Sequence, residues 1–351
     1  MSRQLETQEE VLIRLTDEQA RVLEFCAGNS RVAIEGVAGS GKTLLALAQS
    51  RRFADQNKRT LFLCYNKALA EWLREALPSE YADLIHIHHF HGLAHEACRR
   101  TGIPFQPDRS TTFWQEECTE LLMQATSILP NLKYDAVVVD EGQDFLADWW
   151  FAIDELNSEG AQGSLYVFYD PAQTLFTLKE AIPDMQFGGR LPTNCRNTRA
   201  IAGTCSHIIG AEIKTHPESP PGVPTQFCVE ADEKKRVKII AQQLSDLLHN
   251  EGLDPSQIAI LSSKRQKHTC LAKINAVGRL AINDDPKSWR DNKSVLMTTI
   301  RAFKGLESDV VILLLDGPPK PDSVFTDADF YVAASRAKHI LYVVSNVAVE
   351  R

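Results

Sequence analysis

Gly36, Gly39, Ser40, Gly41, Lys42 and Thr43 fit the pattern glycine, four residues, glycine–lysine–threonine. Glycines let a backbone curl until several N–H groups point at one phosphate. A lysine at this place reaches the β- and γ-phosphates, and the threonine hydroxyl can sit on Mg²⁺. The expected ligand is a nucleoside triphosphate. A second set of reactive groups, Asp140 and Glu141, closes the apolar run of residues 136–139. Alternation along a strand would turn these neighbouring acids in different directions. One can then hold Mg²⁺ through its water shell while the other orients an attacking water. Together with the loop, the pair points to hydrolysis rather than binding alone.

Other residues offer weaker signals. Gln19 precedes the loop, and its amide can pair with a donor and an acceptor on an adenine edge. Tyr65, Asn66 and Lys67 stand where an apolar run gives way to a helix, a place suited to a phosphate of another ligand. Gln173 follows Asp170 and can sense a γ-phosphate or a water. Residues 85–95 hold five histidines, His86, His88, His89, His91 and His95. Without a cysteine partner or a His-Glu-x-x-His pattern, polynucleotide contact is the better reading than a metal. Arg196, Arg301 and Arg336 fall at element ends, and guanidinium groups stabilise charge on a transferring phosphoryl group.

These groups need elements to hold them. Apolar runs at residues 32–34, 60–65, 136–139 and 165–169 read as buried strands, with helices after the phosphate loop and from Asn66 through Leu77. Thr16 is an expected N-cap for the first helix. Residues 99–133 read as a small helical excursion with periodicity over 113–129. After Gly188 and Gly189 a second set begins, with strands expected at 226–229, 258–261, 295–299, 310–315 and 340–344. Helices are expected near 198–209, 233–249 and 327–338. This predicts an α/β fold of two domains, 1–188 and 189–351, with parallel sheets.

The chain has 351 residues, 44% hydrophobic and 24% charged, the balance of an ordinary globular protein. No apolar run approaches the roughly 18 residues that span a bilayer, so no membrane is expected. The polar start is not a signal peptide. Eight cysteines without a Cys-x-x-Cys pair read as scattered reduced thiols of a cytoplasmic protein. A net charge of −8 argues against a broadly basic surface but leaves room for a local basic groove.

Taken together, the motifs resemble the UvrD/Rep-type helicases of superfamily 1 over nearly the whole length. Gln19 resembles the family's adenine-reading glutamine, and Gly36 to Thr43 resemble motif I. Tyr65-Asn66-Lys67-Ala68 resembles motif Ia, and Asp140-Glu141-Gly142-Gln143-Asp144 resembles motif II, which normally has alanine at the third place. Asp170 to Gln173 look like motif III, Asn194-Cys195-Arg196-Asn197 like motif IV, Thr299 to Glu307 like motif V, and Tyr331 to Ala337 like motif VI. The resemblance implies two RecA-like domains, ATP and Mg²⁺ in the cleft between them, and single-stranded nucleic acid, DNA by expectation, across both. It implies Lys42 on the phosphates, Thr43 and Asp140 on Mg²⁺, Glu141 as base, Gln173 as coupling residue, Arg196 and Arg336 as arginine fingers and Glu307 on the nucleotide. Tyr65, Asn66, Lys67, His91, Thr299 and Arg301 are the expected strand contacts. The chain departs from the family at Cys195, where an aromatic residue usually stacks on the base, at Leu178, where a DNA-stacking tryptophan usually stands, and at Arg301, which replaces a histidine. It also lacks room for the family's second inserted subdomain. Three functions follow: a translocating helicase, a nucleic-acid-stimulated ATPase serving a separate nuclease or effector in repair or phage defence, and a binding module that does not hydrolyse ATP.

Overall fold

The computed structural model describes residues 17–108, 110–173, 182–321 and 323–349. Thr16 and Leu178 lie outside them. The described chain forms two compact units, residues 17–37 with 41–191 and residues 38–40 with 192–349.

In the N-terminal unit, α1 (Asp17–Cys26) leads into β1 (Arg31–Gly36), then α2 (Lys42–Asp55), β2 (Thr60–Cys64), α3 (Lys67–Ala76), β3 (Ile85–His89) and α4 (Phe90–Thr101). After α5 (Cys118–Ile128) come β4 (Ala136–Val139), α6 (Ala147–Leu156), β5 (Ser164–Tyr169) and β6 (Gln186–Leu191). Six strands order as β3-β2-β4-β5-β1-β6, and every pairing is parallel. A parallel sheet is covered on both faces, so its strands read as unbroken apolar runs. β2 and β4 are buried at every position. One face packs on Leu45, Phe53, Leu69 and Leu73 of α2 and α3, and the other on Phe90, Leu93, Leu122 and Trp149 of α4, α5 and α6. The insertion of residues 99–133 is no separate body. A wide turn, Phe113–Glu117, feeds α5, and its Cys118, Leu122 and Ala125 share the core of α4.

The structure moves the expected domain division. Gly188 and Gly189 do not mark the division but lie in the middle of β6, which pairs with β1 from Val32 to Gly36. A Cβ at Gly188 would collide with Val32 and lie 2.8 Å from Cys26 Sγ, so close packing requires the glycine there. The first unit therefore runs to Leu191.

The C-terminal unit holds β7 (Thr193–Asn194), α7 (Arg199–Ile209), β8 (Lys214–Thr215), β9 (Gln226–Val229), α8 (Glu233–Ser245), β10 (Ile258–Ser262), β11 (Ala276–Val277) and β12 (Leu280–Asn283). It continues with α9 (Pro286–Arg290), β13 (Ser294–Thr299), β14 (Ser308–Leu315), α10 (Asp327–Ser335) and β15 (Ala337–Ser345). Its main sheet orders as β11-β12-β13-β10-β14-β15-β9, parallel except for the antiparallel hairpin of β11 and β12. β7 and β8 make a separate parallel pair. The expected strands are all present, but two helices stop early. α8 gives way to a wider turn at Asp246–Asn250, and α10 ends at Ser335, where β15 must begin. Among the described residues no helix is long and apolar enough to cross a membrane, and all eight cysteines are free.

Candidate active site

The sheet order of the N-terminal unit places β5 between β1 and β4. Parallel pairing then brings three carboxyl ends to one edge: the phosphate loop after β1, Asp140 and Glu141 after β4, and Asp170 after β5. Gly39 and Gly41 adopt φ of 72° and 82°, left-handed values that glycine takes at no steric cost. Lys42 opens α2 with only 6% exposure, and its Nζ donates to the carbonyls of Gly36 and Val37 at 2.9 and 3.0 Å. Asp170 stands 3.7 Å from the same ammonium. Thr43 Oγ1 donates to Asp140 Oδ2 at 2.7 Å. A Cβ at Gly41 would collide with the Gln19 amide, so the expected adenine-reading residue lies against the loop.

The expected strand alternation does not extend through Asp140 and Glu141. β4 ends at Val139, and Glu141 turns the chain with φ 56°, a left-handed conformation that costs a non-glycine residue about 1–2 kcal/mol. Gln143, for which no role was expected, ties Glu141 to Asp170. Its Nε2 donates to Glu141 Oε2 at 2.5 Å, and its Oε1 accepts the Asp170 N–H at 2.9 Å. Gln173 Nε2 in turn donates to Asp170 Oδ2 at 2.7 Å. Glycine replaces alanine at 142 because a Cβ there would collide with Val167.

The electrostatics call for a cation. Asp140, Glu141 and Asp170 are buried close together, with the Lys42 ammonium beside Asp170. Burial first, and then the charge of Glu141, pushes the Asp140 carboxyl up to about 6. Burial likewise raises Asp170. A divalent ion beside Asp140 and Thr43 would relieve this crowding, and Mg²⁺ typically takes one or two carboxylates together with phosphate and water. Among the described residues no three His, Cys, Asp or Glu side chains converge as a metal cage, the histidines of β3 included.

In the C-terminal unit, Arg196 Nε meets Glu307 Oε2 at 2.7 Å. Lys338 Nζ approaches Glu307 at 3.6 Å and Asp309 at 3.5 Å. Burial alone would raise the Glu307 carboxyl, but Arg196, Lys338 and Arg336 hold it below its usual range. Arg336 is 3% exposed. Asn194 and Asn197 flank Arg196, and Asn197 donates to Ser335 O at 3.0 Å and also to Ala337 O, fixing this turn to the end of α10. Residues 38–40 of the phosphate loop belong to this unit: Ala38 N–H donates to Tyr331 Oη at 3.0 Å, and Cys195 N–H to Gly39 O at 2.9 Å.

Residues 3–157 match the family described as type III restriction enzyme, res subunit. The match includes the phosphate loop and the acids after β4. No curated protein matches the chain. Similar solved structures include arterivirus nonstructural protein 10, a helicase, at 14% identity with a TM-score of 0.43, covering 93% of this chain and 61% of that one. The same helicase in complex with DNA matches at 13% identity and TM-score 0.43, over 93% and 63% of the two chains. The PRRSV helicase matches at 14% and 0.45, over 92% and 54%. This chain thus spans between 54% and 63% of the length of these structures.

The remaining expected residues fall in both units. Asn66 caps α3 by accepting the Ala68 N–H at 2.8 Å, and Lys67 is exposed 3.7 Å from Glu71. Tyr65 stacks on Trp149 with ring centres 6.1 Å apart. His91 is not at the strand end but on α4, among Tyr65, Trp114 and Trp149, with Nε2 2.9 Å from Trp114 O. Thr299 Oγ1 accepts the Ala302 N–H at 3.2 Å, and Arg301 lies 3.4 Å from Asp329.

Proposed function

We propose that this chain is an ATP hydrolase of the UvrD/Rep helicase type that translocates on single-stranded nucleic acid, DNA by expectation. The observation that carries the reading is the contact of Thr43 with Asp140, with Glu141 beside it and Lys42 at the loop. In this reading Gln19 takes the adenine edge, Gly36, Gly39, Ser40, Gly41 and Lys42 cradle the phosphates, and Thr43 and Asp140 hold Mg²⁺. The ion supplies charge neutralisation on the phosphates. Glu141 orients and deprotonates water, and Gln173 follows the state of the site through Asp170. Arg196 and Arg336 stabilise transferring charge, and Glu307 contacts nucleotide once its pairing with Arg196 loosens. Tyr65, Asn66, Lys67, His91, Thr299 and Arg301 contact the strand. Free thiols agree with a cytoplasmic setting.

A second reading is a nucleic-acid-stimulated ATPase subunit that serves a separate nuclease or effector and does not unwind by itself. One observation favours it. Between Asn194 and Thr299 the described residues supply only the C-terminal unit's own strands and helices, with no inserted subdomain to grip a duplex. The test is ATP turnover with and without single-stranded DNA at low and high salt, followed by strand displacement. Salt-sensitive stimulation with displacement supports the helicase; stimulation without displacement supports the subunit. Absence of turnover overturns both.

A further inference from the structure

A groove enclosing about 610 Å³ runs along the outer edge of β3, within the roughly 300–1,000 Å³ range of ligand-sized clefts. β3 is the end strand of its sheet, so this edge has no strand partner among the described residues. Lys67 and Arg74 enter from α3, His86 and His88 from β3, and Arg99 and Arg100 from α4. The acids in the lining already face cations: Glu71 lies 3.7 Å from Lys67, and Glu96 binds Arg99 at 2.7 Å. Arg74 and Arg100 are different. Arg74 Nε donates to the Ala70 carbonyl of its own helix at 3.1 Å, and Arg100 donates to the Asn131 side chain at 3.1 Å. Neither is in a salt bridge with a carboxylate among the described residues, and both are exposed. Burial, aided by Arg74, holds His88 down to about 4. It therefore stands neutral near pH 7 and offers an N–H rather than a charge.

We propose that this groove holds the phosphodiester backbone of a single-stranded polynucleotide, a contact beyond the residues at the carboxyl edge of the sheet. The proposal rests on the reading of the chain as a nucleic-acid motor and names a part of the path its strand takes. The spacing of the cations selects a chain of phosphates over one anion. Lys67 and Arg74 are seven residues apart on α3, about 10 Å of helix, and Arg99 and Arg100 line the groove from α4, so successive phosphates of one chain would engage more of these cations than one anion could. The groove also runs on from Lys67, which adjoins Asn66 at the end of β2, where the proposed strand contacts begin.

The test compares wild type with the double variant R74E/R100E and with R74K/R100K. Binding of a fluorescent single-stranded oligonucleotide to the nucleotide-free protein is measured across a salt series. Each phosphate contact contributes roughly 0.7 to the slope of log K against log salt for single strands, so two lost contacts should lower it by about 1.4, with affinity falling on the order of ten- to thirtyfold at low salt. The lysine variant should keep most of slope and affinity. An unchanged slope in R74E/R100E overturns the proposal, and so does an equal loss in both variants, which would mark a folding defect. Inorganic phosphate is titrated in parallel. If the charge reversal abolishes phosphate binding but leaves the oligonucleotide untouched, the groove takes a free anion and the polynucleotide assignment falls. ATP turnover of the wild type is scored separately, so its absence would sink the motor reading while the binding comparison stays readable.

Discussion

Replacing Glu141 by glutamine tests the hydrolytic assignment with little change of shape. The amide oxygen can still accept from Gln143, which now meets Glu141 Oε2 at 2.5 Å. The left-handed turn at φ 56° is equally strained for either side chain. What disappears is the proposed base and one buried negative charge. A positioned general base typically contributes 10²- to 10⁴-fold, so the barrier should rise by about 3–5 kcal/mol and turnover fall by that factor. Nucleotide affinity should hold or increase, because ATP brings further negative charge to a place where Asp140 and Asp170 remain. The melting temperature should rise, since a buried like charge beside Asp140 is gone. Phosphate release, fluorescent-nucleotide binding and a thermal melt read the three quantities on one preparation. Turnover within threefold of wild type, or a parallel loss of binding, refutes the role of Glu141 as base.

His88 protonates near 4 when folded and at an ordinary 6.5 when free, so the unfolded chain binds more protons between those values and stability falls as pH drops through that window. Urea denaturation at pH 7 and 4.5 should show a shallower decline for His88→Gln, and equal declines would refute the assignment. Gly92→Ala should lower stability by about 1 kcal/mol, although alanine in a helix gains about that much over glycine; a Cβ there would collide with the His89 ring. A rise in the urea midpoint would show that the ring moves freely. ATP should raise the melting temperature in Mg²⁺ and lose most of that shift in EDTA; equal shifts would mean that Thr43 and Asp140 hold no ion.

Local chemistry was legible in the residues and long-range chemistry was not. The phosphate loop and Asp140-Glu141 lie within short stretches, and buried parallel strands such as β2, β4 and β14 announce themselves as apolar runs. β6 does not. Its strand state comes from pairing with β1 across more than 150 residues, Val32 with Gln186, and its paired glycines mimic a linker. The β11–β12 hairpin did leave a signal, Gly278 at φ 60° in a tight turn before Leu280, of the kind two-residue hairpins favour. The ion pairs of Glu307 with Arg196 and Lys338 were illegible as geometry because the residues meet only in the folded chain. The conformation of Glu141 was missed because strand alternation was extended past the last paired residue of β4.

The pairing of β1 with β5 and β6 also sets a timetable. β1 emerges early, yet its neighbours begin at Ser164 and Gln186. At about 5–20 residues per second of synthesis, the strand that carries the phosphate loop waits roughly 8–30 s for both partners. Until then its apolar edges are open, and nucleotide has no formed site with which to assist folding. A ribosome-bound chain arrested before Gln186 should therefore capture strand-binding chaperones and ignore ATP, whereas one long enough to include Tyr331, which holds Ala38 of the loop, should do the reverse.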